Sequence, residues 1–428
     1  MIELLVVVAD RRIMGEIQRD RRGRLTLVYD DRWRSMDAAY PLSLSMPLVV
    51  AEHEHARIEP WLWGLLPDNE VILARWGQRF HVSPRNAFAL LSAVGEDCAG
   101  AIQLVRPDRV ADVLQDEGQQ IEWLTEADIA ERLRILRQDQ AAWRMARDAG
   151  QFSLAGAQPK TALLFDGQRW GVPSGPTPTT HILKPPIDGL DGHAENEHLC
   201  LALARALGLP AARSEVRRFE NESAIIVERY DRTRLPGAIR RLHQEDLCQV
   251  LGLPPTKKYQ NEGGPGCAEL SEAIWTHSGE PGDDARTFAR AIMLNWIIGG
   301  TDAHAKNFSM LIGPQGRGRL APLYDVASIL PYDADLRRLK MATKIGGKYL
   351  LEEVQSRHWV KFATEVRLPP ADVIDMGKAM AEMLPAAFAQ TVDDARANGL
   401  DHPILQSMSD ILTARSVQCA RVLEAAAA

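Results

Sequence analysis

The chain has 428 residues, room for two or three domains, and its 46% hydrophobic and 25% charged residues are the composition of a folded rather than a disordered protein. Its 50 Lys and Arg against 57 Asp and Glu give a net charge of −7, which speaks against a protein whose main task is coating nucleic acid. The five cysteines (Cys98, Cys200, Cys248, Cys267 and Cys419) are scattered and form no CxxC pair, which argues against zinc and disulfide frameworks and for reduced, buried thiols.

Met1–Ala9 is apolar but short, and it runs into Asp10, Arg11 and Arg12. A signal peptide has its positive charge before the apolar run, so this segment reads as a first strand. No stretch approaches the ~20 apolar residues of a membrane span, and a soluble cytoplasmic protein is expected. Ile2–Val8 and Leu25–Tyr29 are β-branched, apolar runs with a turn at Arg22-Gly23-Arg24. Glu59–Phe80 has helical spacing broken by Leu66-Pro67-Asp68-Asn69. Asp108 to about Arg147 is expected to be helical, with Thr125 and Asp128 as an N-cap pattern. From Gln151 the pattern turns to strands: Thr161–Phe165, a turn at Asp166-Gly167, and Gln168–Val172 returning. Pro173–Thr179 is a loop, and His181–Leu183 is a strand ending at Lys184. Asn196–Leu207 is a helix closed by Gly208, and Glu215–Phe219 and Ala224–Val227 are strands. After Asp231 mostly helix is expected, apart from Thr301–Leu330, and Ala425–Ala428 reads as a frayed helix end or an appended tail.

The chemistry gathers near residue 300. Asp283–Gly299 is a long, mostly apolar helix carrying Phe288, Ile292, Trp296 and Ile297, and it stops at Gly299-Gly300. Thr301-Asp302-Ala303-His304-Ala305-Lys306-Asn307 follows, then a strand from Phe308, a turn at Gly313–Arg319, and Leu323-Tyr324-Asp325. Phosphoryl transfer needs a carboxylate at the acceptor hydroxyl and hard oxygen ligands for Mg²⁺. Asp302 suits the first role, and Asn307 with Asp325 the second. Lys306 would offset charge on the transferring group, and His304 would contact a phosphate or brace the loop. Taken singly, each of these residues has an ordinary use as a cap, turn or packing residue.

The nucleotide half is expected upstream. Phe152-Ser153-Leu154-Ala155-Gly156-Ala157-Gln158-Pro159-Lys160 precedes a strand, and its small residues let backbone N–H groups approach phosphates, though it is neither a Walker A loop nor a kinase GxGxxG. Lys184 at a strand end is placed to bind α/β-phosphates, with Glu195 or, preferably, Glu197 as its helix partner. Glu228-Arg229-Tyr230 would be the hinge whose backbone meets adenine, with Tyr230 packing on the ring.

Taken together these segments resemble the HipA family, bacterial serine/threonine kinase toxins of type II toxin–antitoxin systems. The resemblance covers Pro41–Pro47, Leu65–Asn69, Gly95–Gly100, Phe152–Lys160, Thr180–Pro185, Asn196-Glu197-His198, Val227–Arg232, His243–Asp246, Gly300–Ser309 and Pro322–Ser328. It implies an α+β fold: a two-lobed body resembling protein and phosphatidylinositol kinases, with a small N-terminal subdomain (1–107), the rest of the N-lobe (108–232) and a helical C-lobe (233–428). It further implies ATP and Mg²⁺ as cofactors, Ala155–Lys160 as phosphate loop, Lys184 as phosphate-binding lysine and Glu228–Tyr230 as adenine hinge. Asp302 is then the catalytic base, His304–Asn307 line the nucleotide, and Tyr324-Asp325 complete the metal site. Ser153 matches the family's autophosphorylated serine. A HipB-like helix-turn-helix antitoxin, operator DNA reached through the HipA–HipB complex, and an aminoacyl-tRNA synthetase such as the glutamyl enzyme are the implied partners. Two other readings stand beside it: a small-molecule or lipid kinase of the same superfamily, and a corepressor without catalysis. Direct DNA contact is not legible in the sequence, although Arg337 and Arg338 make a small basic spot.

Overall fold

The computed structural model describes residues 2–115, 120–139, 141–143, 152–333 and 335–425. The expected helix beyond residue 143, the change of pattern at Gln151 and the tail after Ala425 lie outside the described residues. The chain gathers into two compact units: Met1–Pro185 with Arg218–Pro255 and Met310–Gly318, and Pro186–Arg217 with Thr256–Ser309 and Arg319–Ala428.

The first unit starts with β1 (Glu3–Ala9) and β2 (Arg12–Arg19), joined through Asp10 and Arg11 at φ 48° and 57°. Such a left-handed pair matches the twist of a hairpin. With β3 (Leu25–Tyr29), β4 (Glu52–Glu54) and β5 (Gln103–Val105) they form a sheet in the order β4-β3-β2-β1-β5. The two expected strands are present, and β2 completes the hairpin that joins them. The helices His55–Gly64 and Glu70–Phe80 flank Leu65–Asn69, and the Asn69 side chain caps the second by accepting from the N–H of Val71 and Ile72.

A second sheet contains β6 (Gln120–Leu124), β7 (Thr161–Phe165), β8 (Trp170–Ser174), β9 (His181–Lys184), β10 (Ser214–Phe219) and β11 (Glu222–Glu228), in the order β10-β11-β9-β7-β8-β6. The strand β10 straddles the boundary between the units. Helix Glu126–Gln138 starts at the expected Thr125–Asp128 capping box and buries Ile129 and Leu133 with Leu163, Trp170, Leu183 and Ile226. Three expectations are corrected here. The stretch after Asp108 is not continuously helical, because Gln120–Leu124 pairs along β8, a partner 50 residues away in sequence as in Glu122↔Val172. The chain after Asp231 first forms strands Arg232–Leu235 and Ala238–Arg241, then His243–Asp246, because Pro236-Gly237 turns it into a hairpin. The loop expected from Pro173 begins two residues later, since β8 runs to Ser174.

A buried charge cluster ties this unit together. Asp97 and Asp231 meet Arg229, Arg232 and Arg241, all at most 12% exposed in their side chains. Arg229 grips Asp231 through Nε and Nη2 at 3.0 and 2.9 Å, and Arg232 Nη2 lies 2.9 Å from Asp97 Oδ1. Thr179 donates to Asp97 Oδ2 from its N–H and its hydroxyl at 3.0 and 2.7 Å. Burial alone would raise the Asp97 carboxyl, but Arg232, Arg229 and Arg241 hold it below the usual carboxylate range. With three guanidinium groups to two carboxylates, burial and the neighbouring Arg229 bring Arg232 down to about 10.

The second unit is built on helix Pro281–Ile298, whose residues from Ala291 to Ile298 are all buried. This half of the helix is apolar but for Asn295 and must be covered on every side. His193–Ala206, Cys267–His277, Ser356–Glu365, Pro370–Ala397 and Ile404–Glu424 supply the helical surroundings. Trp296 packs edge-on against Trp359 at 5.3 Å, and the Arg415 guanidinium lies over its ring. A hairpin of Lys340–Ile345 and Lys348–Leu350 adds the strands of this region.

Two outcomes follow for the first unit. Asp97→Ala leaves three arginines facing one carboxylate in a dry site and should lower the unfolding free energy by about 3–5 kcal/mol, read by urea denaturation. Glu245 is buried, accepts from the Leu44 N–H at 2.7 Å, and is pushed up to about 8 by burial. Its folded form therefore keeps a proton that the unfolded chain has released above about 4.5, so its contribution to stability falls as pH rises from about 4.5 to 8. Glu245→Gln retains the acceptor and removes the titration. The loss of stability between pH 5.5 and 8, measured by urea midpoints, should shrink in that variant.

Candidate active site

Each unit contributes its own group of residues. In the first unit, Phe152–Gly156 runs beside the N-terminal segments that carry the family-like motifs. Phe152 bridges Asp97 and Gly156 bridges Pro67, both in parallel. Ser153 is fully buried: its N–H donates to the Asp97 carbonyl at 2.9 Å and its hydroxyl to the Leu65 carbonyl at 2.7 Å. The Asp68 N–H reaches the Gly156 carbonyl at 3.0 Å. Lys160 Nζ donates back to the Ala155 carbonyl at 2.7 Å and lies 5.2 Å from the Trp143 ring. Ala155–Lys160 is thus a loop closed by its own lysine, with Ala157 at its exposed tip and Gln158 and Pro159 half-buried.

Lys184 ends β9 and is buried, paired across the sheet with Ile225. Glu228 pairs with His181 at the end of β11. Arg229 works as a strut: its N–H donates to the Thr180 carbonyl, its carbonyl accepts from the Arg232 N–H, and its guanidinium is in the charge cluster. The Tyr230 hydroxyl bonds Gln244. Glu197, the candidate partner of Lys184, is buried on helix His193–Ala206 of the second unit, and Glu195 on the same helix is buried as well.

In the second unit the expected residues converge. Helix Pro281–Ile298 ends at Gly299 with φ 69°, and the Gly300 N–H returns to the Asn295 carbonyl at 2.7 Å. A Cβ on Gly299 would stand 2.6 Å from the Leu330 side chain, and one on Gly300 2.1 Å from Asn295 Oδ1. Only two glycines fit this turn, which delivers Asp302 directly from a buried helix end. The loop then closes on itself. His304 N–H donates to the Asp302 carbonyl at 2.7 Å, Asn307 N–H to the His304 carbonyl at 2.9 Å, and Asn307 Nδ2 to the Asp302 carbonyl at 2.7 Å. Asp302 itself is exposed, while His304, Lys306 and Asn307 are buried and Ala305 is fully so. Burial lowers the His304 pKa, partly offset by Asp302, so a neutral imidazole is favoured. Its buried Nδ1 has no hydrogen-bond partner among the described residues.

Asp325 is held at φ 57°, a strained value for a non-glycine residue and one often found at working sites. Its surroundings are pinned on both sides. The Tyr324 hydroxyl shares a hydrogen bond with Ser309 Oγ at 2.6 Å and reaches the Lys306 carbonyl at 2.7 Å, so it joins the two acidic loops. Asn196 exchanges two hydrogen bonds with the Ser328 backbone, at 2.7 and 2.9 Å. Asn307 and Asp325 line one recess with Asn295, Ala303, Tyr324 and Val326. Among the described residues no cluster of three His, Cys, Asp or Glu side chains forms a closed metal cage. An open pair of one amide and one carboxylate, completed by water and phosphate oxygens, is the usual form of a Mg²⁺ site. The Asn307 amide fits it, because with its nitrogen turned to the Asp302 carbonyl its oxygen occupies the other branch.

Two features of this unit were not singled out from sequence. Tyr259 donates from its hydroxyl to Asp302 Oδ1 at 2.6 Å, and Asn196 supports the Asp325 loop. A Gly-rich run at Gly263-Gly264-Pro265-Gly266 was the visible signal near Tyr259, but it does not tell which side chain the loop presents. The basic spot at Arg337 and Arg338 is locally neutralised, by Asp335 at 2.9 Å and by Asp333 and Asp335 at 3.4 and 3.2 Å.

Residues 5–105 match the HipA N-terminal domain and residues 152–388 the HipA-like C-terminal domain. The protein Y4mE of Sinorhizobium fredii is 38% identical over 410 residues, covering 93% of this chain and 96% of its own. The serine/threonine-protein kinase toxin HipA of Shewanella oneidensis is 28% identical over 395 residues, 89% of this chain and 87% of its own. A chain of the solved Shewanella oneidensis MR-1 complex of HipA, HipB and operator DNA superposes with a TM-score of 0.84 at 25% identity, over 98% of both chains. The resemblance and the α+β fold read from the sequence are both borne out. Among the described residues no helix is long and apolar enough to cross a membrane.

Asn196→Ala removes both hydrogen bonds to the Ser328 backbone in a buried site. The expected result is a loss of about 1–3 kcal/mol per unsatisfied group, with faster hydrogen exchange at the Ser328 amide than in wild type.

Proposed function

The chain belongs to the HipA family, and from that premise we propose that it is the toxin kinase of a HipBA-type toxin–antitoxin system, a Mg-ATP-dependent serine/threonine protein kinase. The observation that carries the reading is the second unit's acidic set: an exposed Asp302 delivered by a buried helix end, with Asn307 and Asp325 on one recess beside it. In this reading the chain divides into an N-terminal subdomain (1–107), the rest of the N-lobe (108–232) and a helical C-lobe (233–428).

When bound, ATP and Mg²⁺ supply the phosphoryl group and neutralise its charge. Asn307 and Asp325 hold the metal through oxygen. Asp302 orients the acceptor hydroxyl and accepts its proton. Lys306 places positive charge near the transferring group, while neutral His304 and Ala305 border the nucleotide. Tyr324 keeps the metal-binding carboxylate in register with the catalytic loop through the Lys306 carbonyl. In the first unit, Ala155, Gly156, Ala157, Gln158, Pro159 and Lys160 cradle phosphates with backbone groups, and Lys184 binds them as a charge. Glu228 and Tyr230 meet the adenine, with Arg229 rigidifying the hinge beneath them.

Ser153 is the autophosphorylation site. Its hydroxyl is buried on the Leu65 carbonyl, and a phosphate of roughly −2 charge is incompatible with that bond. Modification therefore expels the loop and switches the kinase off. The acceptor is a translation enzyme, an aminoacyl-tRNA synthetase such as the glutamyl enzyme, whose loss arrests growth in the cytoplasm. The partner is a HipB-like helix-turn-helix antitoxin, with which the chain acts as corepressor on operator DNA. The Shewanella assembly of HipA, HipB and operator DNA supports this assignment.

Expression without the antitoxin should arrest growth, and Asp302→Asn or Asp325→Asn should be harmless while remaining folded by circular dichroism. Equal arrest by wild type and both variants would refute the kinase reading.

A further inference from the structure

We propose that Tyr259 is a positioning residue for Asp302, holding one carboxylate oxygen so that the other is presented to the acceptor hydroxyl. The inference rests on the kinase reading above. Asp302 is exposed, and the torsion that turns a carboxylate about its Cβ–Cγ bond is broad, so nothing intrinsic fixes which oxygen faces the acceptor. The Tyr259 hydroxyl removes that freedom by donating to Oδ1 at 2.6 Å. The same loop grips the catalytic segment at two further points. The Tyr259 ring meets His304 edge-on at 4.9 Å, and the Lys258 carbonyl accepts from the Ala305 N–H at 3.2 Å.

The loop that carries Tyr259 is built to stay in place. Gly264 N–H donates to the Tyr259 carbonyl at 2.9 Å, and Lys257 Nζ donates to the Glu262 carbonyl at 2.8 Å. A Cβ on Gly264 would fall 2.1 Å from the Lys257 carbonyl oxygen, so the turn closes only with glycine there. From the other side, the Gln260 side chain accepts from the Lys344 N–H at 2.7 Å. A tyrosine that merely occupied the acceptor's place until substrate arrived would need a loop able to leave. This one is tied before and after the tyrosine, which favours a permanent brace over a gate.

The test uses the full-length protein, as wild type, Tyr259→Phe, Asp302→Asn and the double variant, with phosphate transfer from radiolabelled ATP to myelin basic protein as the probe reaction. Tyr259→Phe should lower kcat by about 10- to 100-fold, the scale of a misplaced catalytic group, with KM for ATP within about twofold and an unchanged melting temperature. In the Asp302→Asn background the same change should leave the residual rate unaltered, because the two side chains act as one unit. An unchanged kcat overturns the proposal, as does a loss of rate that follows a fall in melting temperature or ATP affinity. A faster Tyr259→Phe enzyme overturns it in favour of a gate. Wild type that transfers no phosphate, to the probe or to itself, overturns the kinase reading and this inference with it.

Discussion

Asp97 has two loads on one residue. Its carboxylate anchors Arg229, Arg232 and Arg241 in the dry interior of the first unit, and its backbone carbonyl holds the N–H of Ser153. The segment carrying Arg229, Arg232 and Arg241 and the Phe152–Gly156 segment are therefore referred to the same point, supplied by the small N-terminal portion of the chain. Buried ion pairs of this kind add little net stability, since desolvation offsets most of their attraction. What they supply is geometry, because a displaced arginine would be left charged and unpaired. Leu65–Asn69 and Gly95–Gly100 acquire a purpose from this arrangement: their backbones form the wall on which Phe152–Gly156 lies.

The second unit solves a different problem. An exposed carboxylate has to be held still at the end of a hydrophobic helix. The Gly299-Gly300 turn fixes where the chain emerges, and Asn307 closes the loop onto the Asp302 carbonyl. Tyr324 ties the second acidic loop to the first through Lys306, and Asn196 clamps it through Ser328. These bonds end on backbone groups, whereas the Tyr259 hydroxyl meets an Asp302 carboxylate oxygen directly.

Much of the fold was legible because the signals were local. The capping box at Thr125, the turn at Asp166-Gly167, the helix closed by Gly208 and the apolar helix ending at Gly299 all stand where residue type alone placed them. The misreadings share one cause. Gln120–Leu124 and His243–Asp246 are short and carry no strong strand composition, and Gln120–Leu124 extends because β8 offers a ladder. Pro236-Gly237 was a turn signal, but its hairpin is polar and has no buried alternation to announce it.

By itself the sequence determined which groups follow one another: a carboxylate, an amide and a second carboxylate in a fixed order, after a helix whose second half is buried because it is almost wholly apolar. Residue type and spacing suffice for that, since both act over a few bonds. Only the tertiary structure decided how those groups are held. That Ser153 faces Leu65, that Arg229 is a strut in a charge cluster, and that Tyr259 rests on Asp302 are contacts between residues 43 to 132 positions apart. Such distances are closed by packing, and no local propensity encodes them.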